Sequence, residues 1–234
     1  SAENILHSAR ALLAHATDLQ SQIMTKGDTI SGELKLGSFS TLASSILPRL
    51  INSFSSKHPE IQLKITEGTQ VELLEGLNSG QLEMALLYDL DLPASIEKTK
   101  LTALTPHAVL PPGHPLSTQA DVDIADLAEE PFILLDVPPS REYFLGLFKS
   151  VGLEPNILHS SPSLELVRGL VGYGLGFSLL VTRPASDMTY DGQQLSIRPL
   201  RNKFTKSSIV LAHHKDLRPT QLMTLFSNLA KSIM

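Results

Sequence analysis

The sequence predicts an α/β protein made of two Rossmann-like subdomains joined by two crossover segments, with a helix ahead of them. From Glu33 the pattern runs strand, helix, strand, helix, strand in the stretches GELKLGS, LASSILPRLINSFSS, IQLKIT, QVELLEGLNS and LEMALLYD. After an extended region, IEKTKLTALTPHAVLPP, the same order returns as FILLD, REYFLGLFKS, NILHS, SLELVRGLVG and GFSLLV. Strands alternating with amphipathic helices mark βαβ units and parallel sheets. The third observation is the tail, where strand-like LSIRPL and SSIVLAH lead into TQLMTLFSNLAKSI, with Leu222, Leu225, Phe226 and Leu229 on one helical face. So short a segment makes no third core, and it is expected to return and complete the first unit.

Taken in order, the chain opens with Ile5, Ala9, Leu12, Ala16, Leu19 and Ile23, spaced alternately four and three apart. That spacing is an a/d seam, and it predicts a helix that pairs with a second helix; the competing reading packs it on its own domain. Lys26-Gly27-Asp28 breaks the pattern, so residues 1–31 are assigned to a linker helix and hinge. Residues 32–107 with 206–234 then form subdomain I and residues 108–205 subdomain II, with crossings expected near His107 and Thr205. A short helix is expected around DIADLAEE.

The run VRGLVGYGLGFSLL places Gly172, Gly174 and Gly176 inside apolar sequence and invites comparison with a dinucleotide loop. Such a loop needs G-x-G-x-x-G after a strand and opening a helix. Here the third glycine comes one position early and the order of elements is reversed. Leu164, Val167, Leu170 and Val171 have helical spacing, and the strand follows. The glycines are therefore expected to close a helix by a left-handed turn.

Composition bounds the rest. With 42% hydrophobic content in 234 residues, the chain reads as a soluble globular protein. No apolar stretch reaches bilayer-spanning length, and the N-terminus lacks a signal-peptide pattern. There is no cysteine, which excludes disulfides, thiolate metal sites and Cys nucleophiles and is compatible with a reducing compartment. A chain beginning with Ser rather than Met is expected to be a fragment. The net charge of −5, without a Lys or Arg run, gives no footprint for phosphate backbones. This polypeptide is not expected to bind DNA by itself.

Small hydroxyl residues gather at the strand-to-helix junctions: Ser38, Ser40 and Thr41; Thr66 and Thr69; Ser140; and Ser160, Ser161 and Ser163. In open α/β sheets, ligands bind beyond the carboxyl ends of the strands, where helix N-termini offer unpaired N–H groups. Two such units facing each other would make a cleft that closes on its ligand. Each hydroxyl alone serves equally well as a helix cap, and Thr69-x-x-Glu72 is a capping box. Arg141 could hold a carboxylate through two parallel hydrogen bonds, while Asp136 could receive an amine, which leaves the ligand's sign open. A carboxylate is favoured because helix N-termini and Arg141 outweigh Asp136 and Glu67. Signatures of a hydrolase elbow, zinc protease, phosphate loop or calcium loop are absent. Adjacent His213 and His214 fall on opposite faces of a strand, and His58 and His114 read as solvated loop histidines.

With these residues in view, the chain resembles the effector-binding domain of LysR-type transcriptional regulators. The similarity rests on GELKLGSFSTLASSILPRLINSFSSKHPEIQLKITEGTQVELLEGLNSGQLEMALL, on PPGHPL after the crossover, and on LVRGLVGYGLGFSLL. It implies the type 2 periplasmic-binding-protein fold, a small-molecule effector, no catalysis and no cofactor or metal. It also implies a cytoplasmic homodimer or homotetramer that touches DNA only through a winged helix-turn-helix preceding Ser1, with no membrane contact. By motif, effector contacts are expected at Ser38, Phe39, Ser40, Thr69, Gln70, Tyr88, Asp136, Pro138, Ser140, Arg141, Ser161 and Ser163. One departure is Val181-Thr182-Arg183-Pro184, where the family usually has proline directly after GFSLL. The alternative function is the solute-binding protein of a transporter.

Overall fold

The computed structural model describes residues 30–234. The a/d seam lies outside them. The described chain forms two compact units: one runs to Thr102 and resumes as Ser208–Met234, the other is Ala103–Ser207.

In the first unit, β1 (Gly32–Phe39), β2 (Ile61–Gly68) and β3 (Met84–Tyr88) alternate with helices, and β4 (Ile96–Leu104) and β10 (Ser207–His214) complete a sheet of order β2-β1-β3-β10-β4. β1 pairs in parallel with β2 and β3, while β10 runs antiparallel to β3. Leu34, Leu36, Leu42, Leu50 and Phe54 are fully buried, because alternate strand residues and one helix face meet in the same core. Phe54 meets Phe226 of the last helix, α6 (Gln221–Ile233), at 5.1 Å between ring centroids.

The long helix expected over LASSILPRLINSFSS is instead two pieces. α1 (Ser40–Ala43) ends in a turn, and α2 (Leu47–Lys57) restarts with Pro48 in its first turn. Proline has no N–H for an interior helical bond, and only the first turn leaves that N–H unneeded. α3 (Gln70–Ser79) follows as expected and closes on Gly80 in the left-handed region, φ 75°.

The second unit contains β5 (His107–Leu110), β6 (Pro131–Leu135), α4 (Ser140–Ser150), β7 (Asn156–Ser161), α5 (Leu164–Gly172), β8 (Ser178–Leu180) and β9 (Ser196–Pro199). Its strands form β8-β5-β9 and β6-β7 sheets, joined by a parallel bridge between Phe132 and Phe177. The resulting order, β7-β6-β8-β5-β9, repeats that of the first unit. Phe132, Phe148 and Phe177 are buried together, with Phe132 5.2 Å from Phe148 and 5.1 Å from Phe177. The segment DIADLAEE forms only a 3-10 turn, Ile124–Leu127.

The glycine run behaves as read. α5 ends in a Schellman arrangement: the Gly174 N–H donates to Val171 O at 2.9 Å and the Leu175 N–H to Leu170 O at 3.1 Å. Gly174 supplies the left-handed φ of 77°. No phosphate loop is formed, since a strand follows the helix.

Candidate functional site

The first group of expected contacts lies at the carboxyl ends of β1, β2 and β3. The parallel register sets Ser38 beside Glu67 and Leu86, and Phe39 beside Gly68. Ser40, exposed at the start of α1, directs its Oγ to Gly68 O at 3.4 Å, which ties the first junction to the second. Beneath them, Ser38 and Phe39 are fully buried and Tyr88 nearly so. The Phe39 and Tyr88 rings meet edge to face at 5.4 Å, and Tyr88 OH lies 2.8 Å from Thr41 Oγ1. These three residues form a packed floor, while Ser40 and Thr69 are exposed at the rim.

At the start of α3 the capping box is formed. The Thr69 N–H and hydroxyl both donate to Glu72 Oε2 at 2.8 Å, and Thr69 Oγ1 accepts from the Glu72 N–H at 3.4 Å. The Thr69 N–H, and then its hydroxyl, hold the Glu72 carboxyl below its ordinary range. The helix thus brings its own carboxylate to its positive end. Gln70 differs: it is buried, its Nε2 donates to Leu90 O at 2.8 Å, and its Oε1 has no partner among the described residues. Because Nε2 is committed to a carbonyl, the amide orientation is set, and Oε1 is an acceptor awaiting a donor. Thr69→Ala should cost about 1 kcal/mol of unfolding free energy through loss of the cap. The Glu72 carboxyl should also titrate closer to its ordinary value, as NMR of its side-chain carbon would show.

The second group lies at the ends of β6 and β7, where Leu135 pairs with Ser161 and the Asp136 N–H donates to Ser161 O at 2.8 Å. Val137 O receives the N–H groups of Ser140 at 2.8 Å and Arg141 at 3.2 Å, so the Pro138-Pro139 turn delivers the chain into α4. Arg141 Nη1 donates to Asp136 Oδ1 at 2.7 Å. That bond, with a lesser one from the Ser160 hydroxyl, lowers the Asp136 pKa, and the same pair raises that of Arg141. Sequence reasoning weighed Arg141 and Asp136 as separate ligand groups; the fold pairs them with each other. Ser161, buried, accepts the Ser163 N–H at 3.1 Å, and Ser163 caps α5 by accepting the Leu166 N–H at 3.3 Å. Ser140 is also buried.

The histidine expectations need one correction. His114 is buried: its Nε2 lies 2.7 Å from Glu130 and its Nδ1 accepts the Leu116 N–H at 3.1 Å. Imidazole caps a 3-10 turn here, so His-Pro did not signal exposure. Among the described residues, no cluster of three or more His, Asp or Glu side chains could hold a metal ion.

Residues 27–233 match the LysR substrate binding domain. The chain belongs to that family. The match decides against the transporter solute-binding reading. HinK, a LysR family transcriptional regulator from Pseudomonas aeruginosa, is 42% identical with a TM-score of 0.84, over 96% of this chain and 77% of that one. The HTH-type transcriptional regulator YybE of Bacillus subtilis (strain 168) is 28% identical over 75% of this chain. The chain spans 60% of YybE's length. The BenM effector binding domain, solved with its effector benzoate, shares the fold with a TM-score of 0.76 at 23% identity, over 86% of this chain and 91% of that one. The family fold is the type 2 periplasmic-binding-protein-like architecture, the α/β class expected from the strand and helix order.

Proposed function

We propose that this LysR-family effector-binding domain senses a small polar metabolite carrying a carboxylate, and relays its binding to a DNA-binding segment of the whole protein. The family match over residues 27–233 carries the reading. Two features of the strand ends support the ligand class. The Gln70 Oε1 acceptor has no donor among the described residues, and a ligand hydroxyl or amine would supply one. Arg141, steadied by Asp136 and still 42% exposed along its side chain, keeps N–H groups for a carboxylate. The benzoate of BenM is a ligand of this chemistry. The rest of the reading is a cytoplasmic homodimer or homotetramer that acts without catalysis, cofactor or membrane contact and reaches DNA through its winged helix-turn-helix.

A thermal-shift screen of hydroxylated and aromatic carboxylates should identify a stabilising compound. Calorimetry should then show Arg141→Ala weakening that compound about tenfold to a hundredfold, the loss expected for charge-assisted hydrogen bonds. Ser40→Ala should weaken it less, by about twofold to tenfold. Unchanged affinity in both variants, with the fold intact, would place the ligand elsewhere.

A further inference from the structure

We propose a second small-molecule site in the first unit, at the opposite end of the sheet from the strand-end junctions, and infer that it takes a small monocarboxylate. A groove of about 210 Å³ opens between β3, β4, β10 and α6. Its place follows from the register. β3 begins at Met84 and ends at Tyr88; antiparallel pairing sets Leu211 beside Leu86 at mid-strand and Ala212 beside Ala85, so His213, one residue on, reaches the Met84 end. The strand-end hydroxyls lie at the Tyr88 end.

The chemistry of the wall is divided. Met84, Leu211 and Met223 are almost wholly buried and give an apolar, partly thioether floor that adapts to shape. Around it stand Thr99, Asn228 and Lys231. None of the described residues lining the groove is acidic. Of its basic groups, His213 already has Nδ1 3.1 Å from His214 O and Nε2 3.7 Å from Glu97. Lys231 pairs with no carboxylate among the described residues, so it is the cation free to receive an anionic head. A cavity below the roughly 300 Å³ of drug-sized sites suits a compact acid with a short apolar body.

The location gives such a ligand leverage. Thr99 lies on β4 and His213 on β10, the two strands through which the chain leaves the first unit after Thr102 and returns at Ser208. A molecule held against both strands and α6 would brace these connections without touching the strand-end junctions.

Methionine-methyl NMR tests this directly, because Met84 and Met223 line the groove while Met188 belongs to the other unit. Hexanoate, hexanol and hexylammonium serve as probes of equal chain length and different charge. Hexanoate should shift the Met84 and Met223 methyl signals saturably and leave Met188 still. Hexanol should bind more weakly and hexylammonium not at all. Lys231→Gln, an exposed change on α6, should weaken hexanoate about tenfold. The proposal fails if neither methyl signal saturates, if hexanol matches hexanoate, or if Lys231→Gln titrates like the wild type.

Discussion

Replacing Gly176 with Ala should remove on the order of 4 kcal/mol from the unfolding free energy, the largest loss expected from a glycine-to-alanine change among the described residues. Gly176 has φ 153°, and a Cβ there would stand 2.2 Å from the Pro131 carbonyl oxygen and 2.9 Å from its carbon. Both neighbours are backbone and cannot swing aside. The Pro131 carbonyl also accepts the Phe177 N–H at 3.0 Å, and Phe177 O accepts the Ile133 N–H at 2.8 Å. Relieving the clash would break the bridge that joins the two sheets of the second unit and pull Phe177 from its packing on Phe132. Gly174→Ala is the control, since its Cβ would meet open space and only the left-handed φ is penalised, about 1 to 2 kcal/mol. Urea unfolding of both variants checks the order. Equal losses would mean that the close approach to Pro131 carries no strain.

Acid should weaken the protein through His107. Burial is the main cause that lowers its pKa from the ordinary 6.5 to about 4. Arg183 and Arg168 press the same way, while the Thr105 carbonyl and Asp187 oppose them. A base with a depressed folded pKa stays neutral in the fold while the unfolded chain takes up a proton. Stability is therefore lost as pH falls from 6.5 towards about 4, by about 3 kcal/mol over the whole window. His107→Gln should unfold with a flatter pH dependence across that window, measured by urea denaturation at a series of pH values. Parallel curves for the variant and the wild type would show that His107 is protonated in the fold.

Both effects show which features the sequence carried and which it did not. Strands and helices were legible because each buries one face, and a period of two or of 3.6 residues is written in the positions of Leu34, Leu36, Leu164 and Val167. The glycine run was legible because its reversed order, helix before strand, left only a helix-closing role for Gly174. The break between α1 and α2 was missed because the apolar spacing continues across Ser44 and Ser45, and only the missing N–H of Pro48 interrupts the ladder. The strand-end hydroxyls could be located, since junctions follow from element order. Their partners could not. Arg141 meets Asp136 through the path of the Pro138-Pro139 turn, and His114 meets Glu130 across 16 residues that no local period connects. The Oε1 of Gln70, without a partner among the described residues, owes its orientation to Leu90 O capturing Nε2, a tertiary contact 20 residues away.

We propose that this LysR-family domain receives its effector at the strand-end junctions. A crystal structure of the chain with the first carboxylate that stabilises it tests this placement. Ligand density is expected in contact with Ser40, Thr69 or Gln70, or with Arg141, Ser161 or Ser163, with a carboxylate oxygen within hydrogen-bonding distance of the Arg141 guanidinium. Density for the effector elsewhere, with both sets of junctions untouched, would contradict it.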